Sequence, residues 1–481
     1  MKDLIFENIK VGYVPDTEVV INNKKYLIHG VINGETISVD TSGKYPTLKE
    51  VLKKSEHRID YKVDECGGAT FMHVDYPYEL KLKEEHLIDL FKNFKLDEKI
   101  SIIGMENPYN YRNKTLMTFK MSKTKQIVCG LYEDYTHNII TANNNILQCE
   151  IANKVAIEIN KILTKHKISI YDERTRTGVL RHLLIRYGFN SKELMIVFIT
   201  NGEMFPGRGN VINDLKKLNL GITTIVQNYN SRDTSIVLGD KERILYGPGY
   251  IYEYVNDYKF KISPKSFFQV NTEGMEKIYN LAIEKAKISK NDIVIDAYCG
   301  VGTISIFASK YAKHVYGVEL NKDAINDANI NKRINNINNV TFINDDATNF
   351  ITKLAKNREH VDIVIMDPTR EGSTKAFINA IKYLNAKKVI YVSCNPETLK
   401  RDLYQFVEND YIITSITGVD QFPRTLHSEV VCVLETIEEH NKSNNTRKYQ
   451  ENKIKYIPKA DIEMMREDKY ESSRLTKKNK Y

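Results

Sequence analysis

Asp292-Ile-Val-Ile-Asp296-Ala-Tyr-Cys-Gly300-Val-Gly302-Thr-Ile-Ser-Ile-Phe-Ala308 decides the fold. The apolar run Ile293–Ile295 ends at Asp296, two glycines follow, and Ile304, Ile306, Phe307 and Ala308 continue in a helical pattern. Strand, glycine turn and helix in that order open a nucleotide-binding βαβ unit. The glycines let the backbone approach a ligand, and the helix N-terminus faces it. The next apolar stretch, His314–Val318, ends at Glu319, 17 residues past Gly302. A carboxylate there accepts hydrogen bonds from ribose hydroxyls. On this motif alone nicotinamide enzymes, methyltransferases and a ligand-free βα turn all stay open.

Working outward, strand candidates at 292–296, 314–318, 340–343, 361–366 and 388–392 alternate with helices across residues 291–436. That predicts a doubly wound α/β domain, whose ligands bind at the carboxyl ends of its strands. Asp296, Glu319, Asp345, Asp346, Asp367 and Cys394 all fall there. Asp367-Pro368-Thr369-Arg370 resembles the acid-Pro-Pro-aromatic loop of amino-methylating enzymes without its aromatic; Asp367 there can still hydrogen-bond a base edge. Ser393-Cys394-Asn395-Pro396 delivers a thiol to the same face. A lone Cys in an α/β core is ordinarily an apolar filler, but the Asn-Pro loop puts Cys394 at a strand end. A helix over Glu397–Phe406 is expected to lower its pKa through the N-terminal dipole. A thiolate is the group that adds to C6 of a pyrimidine. Gln269, in Ser263-Pro-Lys-Ser-Phe-Phe-Gln-Val-Asn271, either hydrogen-bonds a cofactor or caps a turn. Glu429, just before the strand Val430–Leu434, is on spacing alone a surface residue, and a general base if held at the same pocket.

The chain has 481 residues, enough for two or three domains. Its net charge of +8 mildly favours an anionic partner and also fits a solvated surface. No apolar run approaches the roughly 20 residues of a membrane span, and Met1–Lys10 is charged, so neither membrane nor signal peptide is expected. Six cysteines without a C-x-x-C pair fit a reducing cytoplasm and give no zinc spacing. A cytoplasmic monomer is the default.

Residues 1–57 hold short β segments (Thr17–Ile21, Lys25–His29, Glu35–Val39), which predict a small OB-like barrel. Residues 58–262 mix a helix around Leu80–Phe94 with strands. There Tyr109, Tyr111, Arg112 and Lys114, then Arg181–Arg186, interleave basic and aromatic groups. Such strands either track an RNA backbone or form a solvated face. Residues 438–481 form a polar, charged tail, expected to be disordered apart from a short helix near Lys459–Lys469.

Together the 263–271 loop, Asp296-Ala-Tyr-Cys-Gly-Val-Gly, Val-Glu319, Asp367-Pro, Ser393-Cys394-Asn395-Pro396 and Phe422-Pro-x-Thr-x-His-x-Glu429 resemble the RNA uracil-5-methyltransferases of the RumA/TrmA type. The match spans 263–436 and is traceable back to about residue 57; the N-terminal segment looks like the family's TRAM barrel. The resemblance implies a barrel over 1–57, a central RNA-binding α+β domain over 58–262, a Rossmann-like methyltransferase domain over 263–437 and a tail over 438–481. It implies S-adenosyl-L-methionine as cofactor, with Gln269, Tyr298, Glu319 and Asp367 lining its site. Cys394 matches the nucleophile and Glu429 the base. Many members hold a [4Fe–4S] cluster on four cysteines, the first three spaced C-x5-C-G-x-C. Here Cys66 matches the second and Cys149 the fourth, while the first and third positions hold Asp60 and Ala69. Two thiolates do not hold a cubane, so no cluster and no metal are expected. Thr369 stands where the family usually has Pro, and Arg424 where His is common. The remnant cysteine motif and the barrel favour 23S ribosomal RNA as substrate. Transfer RNA, a purine amino-methyltransferase using Asp367-Pro-Thr, and a non-catalytic RNA-binding protein are the rivals.

Overall fold

The computed structural model describes residues 3–61, 68–132, 139–141, 145–234 and 236–444. Its largest sheet has eight strands. Seven come from the region read above as α/β: β1 (Ile293–Ala297), β2 (His314–Glu319), β3 (Val340–Asn344), β4 (Ile363–Met366), β5 (Lys388–Ser393), β6 (Tyr411–Val419) and β7 (Glu429–Thr436). They lie in the order β3-β2-β1-β4-β5-β7-β6, and the short strand Ser101–Ile103 adds on beyond β6. β1 to β5 are parallel, and β7 runs antiparallel to both β5 and β6. The chain steps outward from β1 to β3, then returns to β4 on β1's other side. The crevice at the carboxyl ends of β1 and β4 is therefore the topological switch point of the sheet. Helices cover both faces, which is why Ile295, Val364, Ile365 and Ile390 are all inaccessible and why these strands read as unbroken apolar runs.

A second, seven-stranded sheet runs in the order 241–246, 222–229, 194–200, 180–187, 114–121, 127–132, 139–141. On one face Ala156, Ile159 and Leu163 of the helix Glu150–Lys165 pack against Leu183, Ile185 and Phe198. On the other, Leu184, Met195, Val197 and Ile199 share a core with Phe260 and with Phe268, Met275 and Val294 of the α/β domain. The strand Leu194–Thr200 is accordingly buried at all seven positions. Each fully buried aliphatic or Phe side chain of this kind stabilises the fold by about 1.5–3 kcal/mol.

With both faces covered, the basic and aromatic strand residues do not form the RNA-tracking or solvated face expected of them. Tyr111, Arg181 and Arg186 are buried. Arg181 Nη1 donates to the carbonyls of Asn230 and Arg232, both at 2.8 Å. Arg186 donates to the carbonyls of Pro264 and Ser266, and Tyr111 to that of Pro423. They tie distant segments together. Arg112, by contrast, lines the central cavity.

The helix expected around Leu80–Phe94 runs over Tyr76–Phe91. It starts earlier because Asp75 caps it, Oδ1 accepting from the Tyr78 amide at 2.8 Å, with Pro77 in the first turn. At the N-terminus the strands Leu4–Phe6, Thr36–Asp40 and Thr47–Lys53 and the hairpin Asp16–Ile21/Lys24–His29 share a core of Ile9, Val19, Ile28, Val31, Ile37 and Val39. Cys66 and the helix expected near Lys459–Lys469 lie outside the described residues. No helix among the described residues is long and apolar enough to cross a membrane.

Candidate active site

A cavity of about 1240 Å³ opens at the carboxyl ends of β1, β2, β4 and β5. Gln269, Tyr298, Glu319, Asp367, Cys394 and Glu429 all line it. The structure thus brings these six together with Asp346, from segments spread over 160 residues of chain, and leaves Asp345 outside.

One half is built by the glycine turn. Tyr298, Gly300 and Gly302 have φ of +67°, +54° and +84°, left-handed backbone that a tyrosine adopts only when its surroundings impose it. The Tyr298 ring leans on Phe377, ring centres 5.5 Å apart. A Cβ at Gly302 would run into the Phe342 ring. Glu319 Oε2 accepts from the Gly300 amide at 3.2 Å and Oε1 from the Asn321 amide at 2.8 Å. These bonds orient the carboxylate and leave each oxygen a further acceptor site for a ribose hydroxyl. Asp296 does not line the cavity. It is inaccessible; Oδ2 accepts from Ser305 Oγ at 2.5 Å and Oδ1 has no partner. Burial pushes its carboxyl up to about 7.

The 263–271 loop closes this half. Ser263 and Ser266 donate to Asp327, at 3.1 and 2.6 Å. The turn is capped by Asn271, whose Oδ1 accepts from the Gly274 amide, and Gln269 is left to the cavity. The Gln269 carbonyl accepts from Asn113 Nδ2 at 2.9 Å, and its Oε1 from Gln421 Nε2 at 3.4 Å. Its side-chain amide is thereby oriented before any ligand arrives.

The other half holds the titratable groups. Asp367 follows β4, and burial raises its carboxyl to about 7. Cys394 follows β5, and Glu429 opens β7. Ser393 pairs with Val430 as the last rung of the β5–β7 ladder, and Cys394 and Glu429, the next residue on each side of that rung, both line the cavity. Glu429 is buried with Oε2 unpartnered. Burial first, then Asp367, holds its carboxyl well above the ordinary range, and Arg370 opposes them. The Cys394 thiol is not lowered, as the helix dipole led us to expect, but pushed up to about 11 by burial, Glu429 and Asp367. The helix starts at Pro396, but its Glu397 amide is already taken by Asn395 Oδ1 at 3.2 Å, and two carboxyl groups outweigh the dipole. Arg370, to which the sequence assigned no role, is the cation felt by both Cys394 and Glu429. Its Nη2 lies 3.1 Å from His427 Nδ1. Its place right after Asp367-Pro-Thr was the available signal.

The residues at the family's cluster positions do not suit a cubane. Asp60 is an exposed carboxylate 2.6 Å from Lys54, and Ala69 offers a methyl group. Cys149 caps the helix Glu150–Lys165, its thiol pushed up to about 11 by burial. Among the described residues no His, Cys, Asp and Glu gather as a metal site.

A switch-point cavity with a glycine turn, a strand-end acid oriented by two backbone amides and a buried carboxyl with an unpartnered oxygen suits an S-adenosylmethionine-dependent methyltransferase. Residues 223–437 match the tRNA (uracil-5-)-methyltransferase family model. An uncharacterized RNA methyltransferase of Caldanaerobacter subterraneus is 37% identical over 419 residues, covering 85% of this chain and 92% of its own. One of Clostridium tetani is 36% identical over 424 residues, 86% and 92% of the two chains. The fold is that of the Pyrococcus abyssi tRNA (uracil-54, C5)-methyltransferase solved with S-adenosyl-L-homocysteine: TM-score 0.72, 24% identity, over 90% of this chain and all of that one. The chain belongs to the RNA uracil-5-methyltransferase family.

Proposed function

We propose that this enzyme methylates C5 of uridine in 23S ribosomal RNA through a covalent adduct on Cys394, with Glu429 as base. The observation that carries the mechanism is that Cys394 and Glu429, on either side of the last rung of the β5–β7 ladder, line one cavity with Asp367. S-adenosylmethionine, held by Gln269, Tyr298, Glu319 and Asp367, supplies an electrophilic methyl group. Cys394 gives its proton to the Asp367 carboxylate, which leaves Glu429 ionised for the later step, and adds to C6 of the uracil; the C5–C6 π pair moves onto C5, which becomes the carbon that is methylated. A thiolate of high pKa is the stronger nucleophile once formed. Glu429 then takes the C5 proton, the C5–C6 double bond re-forms, and the C6–S bond breaks to return the thiolate. A carboxylate whose pKa is raised is a stronger base, as removal of a carbon-bound proton requires. The target uridine must leave its stack to expose C6.

The ribosomal substrate rests on the cysteine-motif remnant and the small N-terminal β unit. Transfer RNA is the second candidate, favoured by the description of the matching family model. The test offers methyl-labelled S-adenosylmethionine with unmodified large-subunit ribosomal RNA and, separately, transfer RNA, and identifies the labelled nucleoside. We expect 5-methyluridine from ribosomal RNA. The same nucleoside from transfer RNA alone replaces the substrate, and a labelled purine overturns the role of Cys394.

A further inference from the structure

The hairpin Ile251–Val255/Tyr258–Ile262 has one buried face and one partly exposed face, on which Tyr254 is exposed and Tyr252, Lys259 and Lys261 are half-buried. Ile251, Glu253, Val255 and Phe260 are buried. Tyr252, Tyr254, Lys259 and Lys261 alternate with them on the outer face, Tyr252 opposite Lys261 and Tyr254 opposite Lys259. Lys259 Nζ lies 3.9 Å from the Tyr252 ring centre and 5.7 Å from that of Tyr254. A two-stranded ribbon is marginal in water by itself, but this one is pinned along both edges. The Glu253 carboxylate accepts the amides of Phe189, Asn190 and Ser191 from the turn of the seven-stranded sheet. The Lys259 and Lys261 amides donate to Asn335 and Asn331, both at 2.8 Å, on the methyltransferase side. The outer face is thus a rigid row of rings and ammonium groups, and it ends at the catalytic cavity, which Lys261 lines.

We propose that this face holds the unpaired RNA segment beside the target uridine, with bases stacked on Tyr252 and Tyr254 and phosphates on Lys259 and Lys261. The proposal rests on RNA being the methyl acceptor. A uridine drawn from its stack leaves its neighbours without a partner, and aromatic rings with interleaved cations replace that partner without regard to base identity. The charge is complementary. Glu253 is turned inward and consumed by amides, and Asp327, ion-paired to Lys261 at 3.6 Å, offsets part of that charge, so Lys259 is the main phosphate contact. A platform that is already rigid loses little freedom on binding.

The test compares wild-type protein with Tyr252→Ala/Tyr254→Ala, Tyr252→Phe/Tyr254→Phe and Lys259→Ala. It measures affinity for a fluorescein-labelled oligouridylate of about 12 nucleotides, affinity for S-adenosylhomocysteine, and KM and kcat on unmodified large-subunit ribosomal RNA. We expect the alanine pair to weaken oligouridylate binding and raise KM by about tenfold or more. Its kcat and S-adenosylhomocysteine affinity should be unchanged, and the phenylalanine pair should match wild type. Lys259→Ala should lower the slope of log Kd against log salt by about 0.7. An alanine pair that binds oligouridylate and ribosomal RNA like wild type overturns the proposal, as does wild-type protein that ignores oligouridylate. If wild-type protein methylates no RNA, the uridine-methylation assignment falls, and oligouridylate binding still decides the hairpin.

Discussion

Arg424 reaches Glu79 across 345 residues of chain: its Nη1 lies 3.1 Å from Glu79 Oε2, and its amide donates to Glu79 Oε1 at 2.7 Å. Both are buried. Lys83 joins them, its Nζ 2.7 Å from Glu79 Oε1 and 2.6 Å from Asp420 Oδ1. Arg424 also donates to the carbonyls of Phe71 and Val74 and to the Tyr109 hydroxyl. The cluster fastens the stretch that carries Phe422, His427 and Glu429 onto the helix Tyr76–Phe91. The arginine supplies the donors these acceptors need.

Glu79→Ala should therefore be strongly destabilising. It leaves the Arg424 and Lys83 charges buried and short of a partner, which costs about 3–5 kcal/mol. Thermal unfolding followed by circular dichroism should show a much lower Tm. Glu79→Gln, which keeps an acceptor, should fall between that variant and wild type. Equal Tm values for all three would show that the cluster contributes nothing.

Asp296 makes stability depend on pH. Its folded pKa is about 7, against an ordinary aspartate near 4 in the unfolded chain. A raised folded pKa favours the fold below pH 4, and that contribution is lost as pH rises toward 7. Asp296→Asn removes the titration. The Tm of the variant relative to wild type should rise steadily from about pH 4 to about pH 7. A pH-independent difference would mean that Asp296 is charged in the fold.

Cys394 and Glu429 should fail at different steps. Cys394→Ala should abolish transfer. Glu429→Gln should slow turnover by about 10²–10⁴-fold and accumulate an RNA–protein adduct that survives denaturing electrophoresis. RNA carrying 5-fluorouridine should trap wild-type protein in the same way, because C5 then has no proton to lose, and should not trap Cys394→Ala. An adduct on Cys394→Ala would reassign the nucleophile.

Glu319→Ala removes the acceptor for the Gly300 and Asn321 amides as well as the acceptor proposed for the ribose. Affinity for S-adenosylhomocysteine, measured by calorimetry, should fall by about 10–100-fold. Glu319→Gln should lose less. Unchanged affinity would place the ribose elsewhere.

What the sequence determined by itself was local. The glycine turn, the strand-end acids and the alternation of strand and helix depend on backbone conformation and side-chain period over a few residues. They were enough for the doubly wound domain and for Glu319, Asp367 and Cys394 at its strand ends; Tyr298 and the placing of Glu429 came from the family resemblance, since on spacing alone Glu429 reads as a surface residue. Tertiary structure decided what each of those residues meets. Arg181 and Arg186 share the interleaved pattern of an RNA-facing strand, yet both faces of their sheet are covered and they serve as buried ties. Tyr252, Tyr254, Lys259 and Lys261 drew no attention in sequence and form the partly exposed basic face. The dipole argument for Cys394 was sound locally. It failed because burial first, and then Glu429, which returns 35 residues on at the start of β7, raise the thiol instead. Burial and charge act through space, and the partner that sets them is chosen by the sheet order.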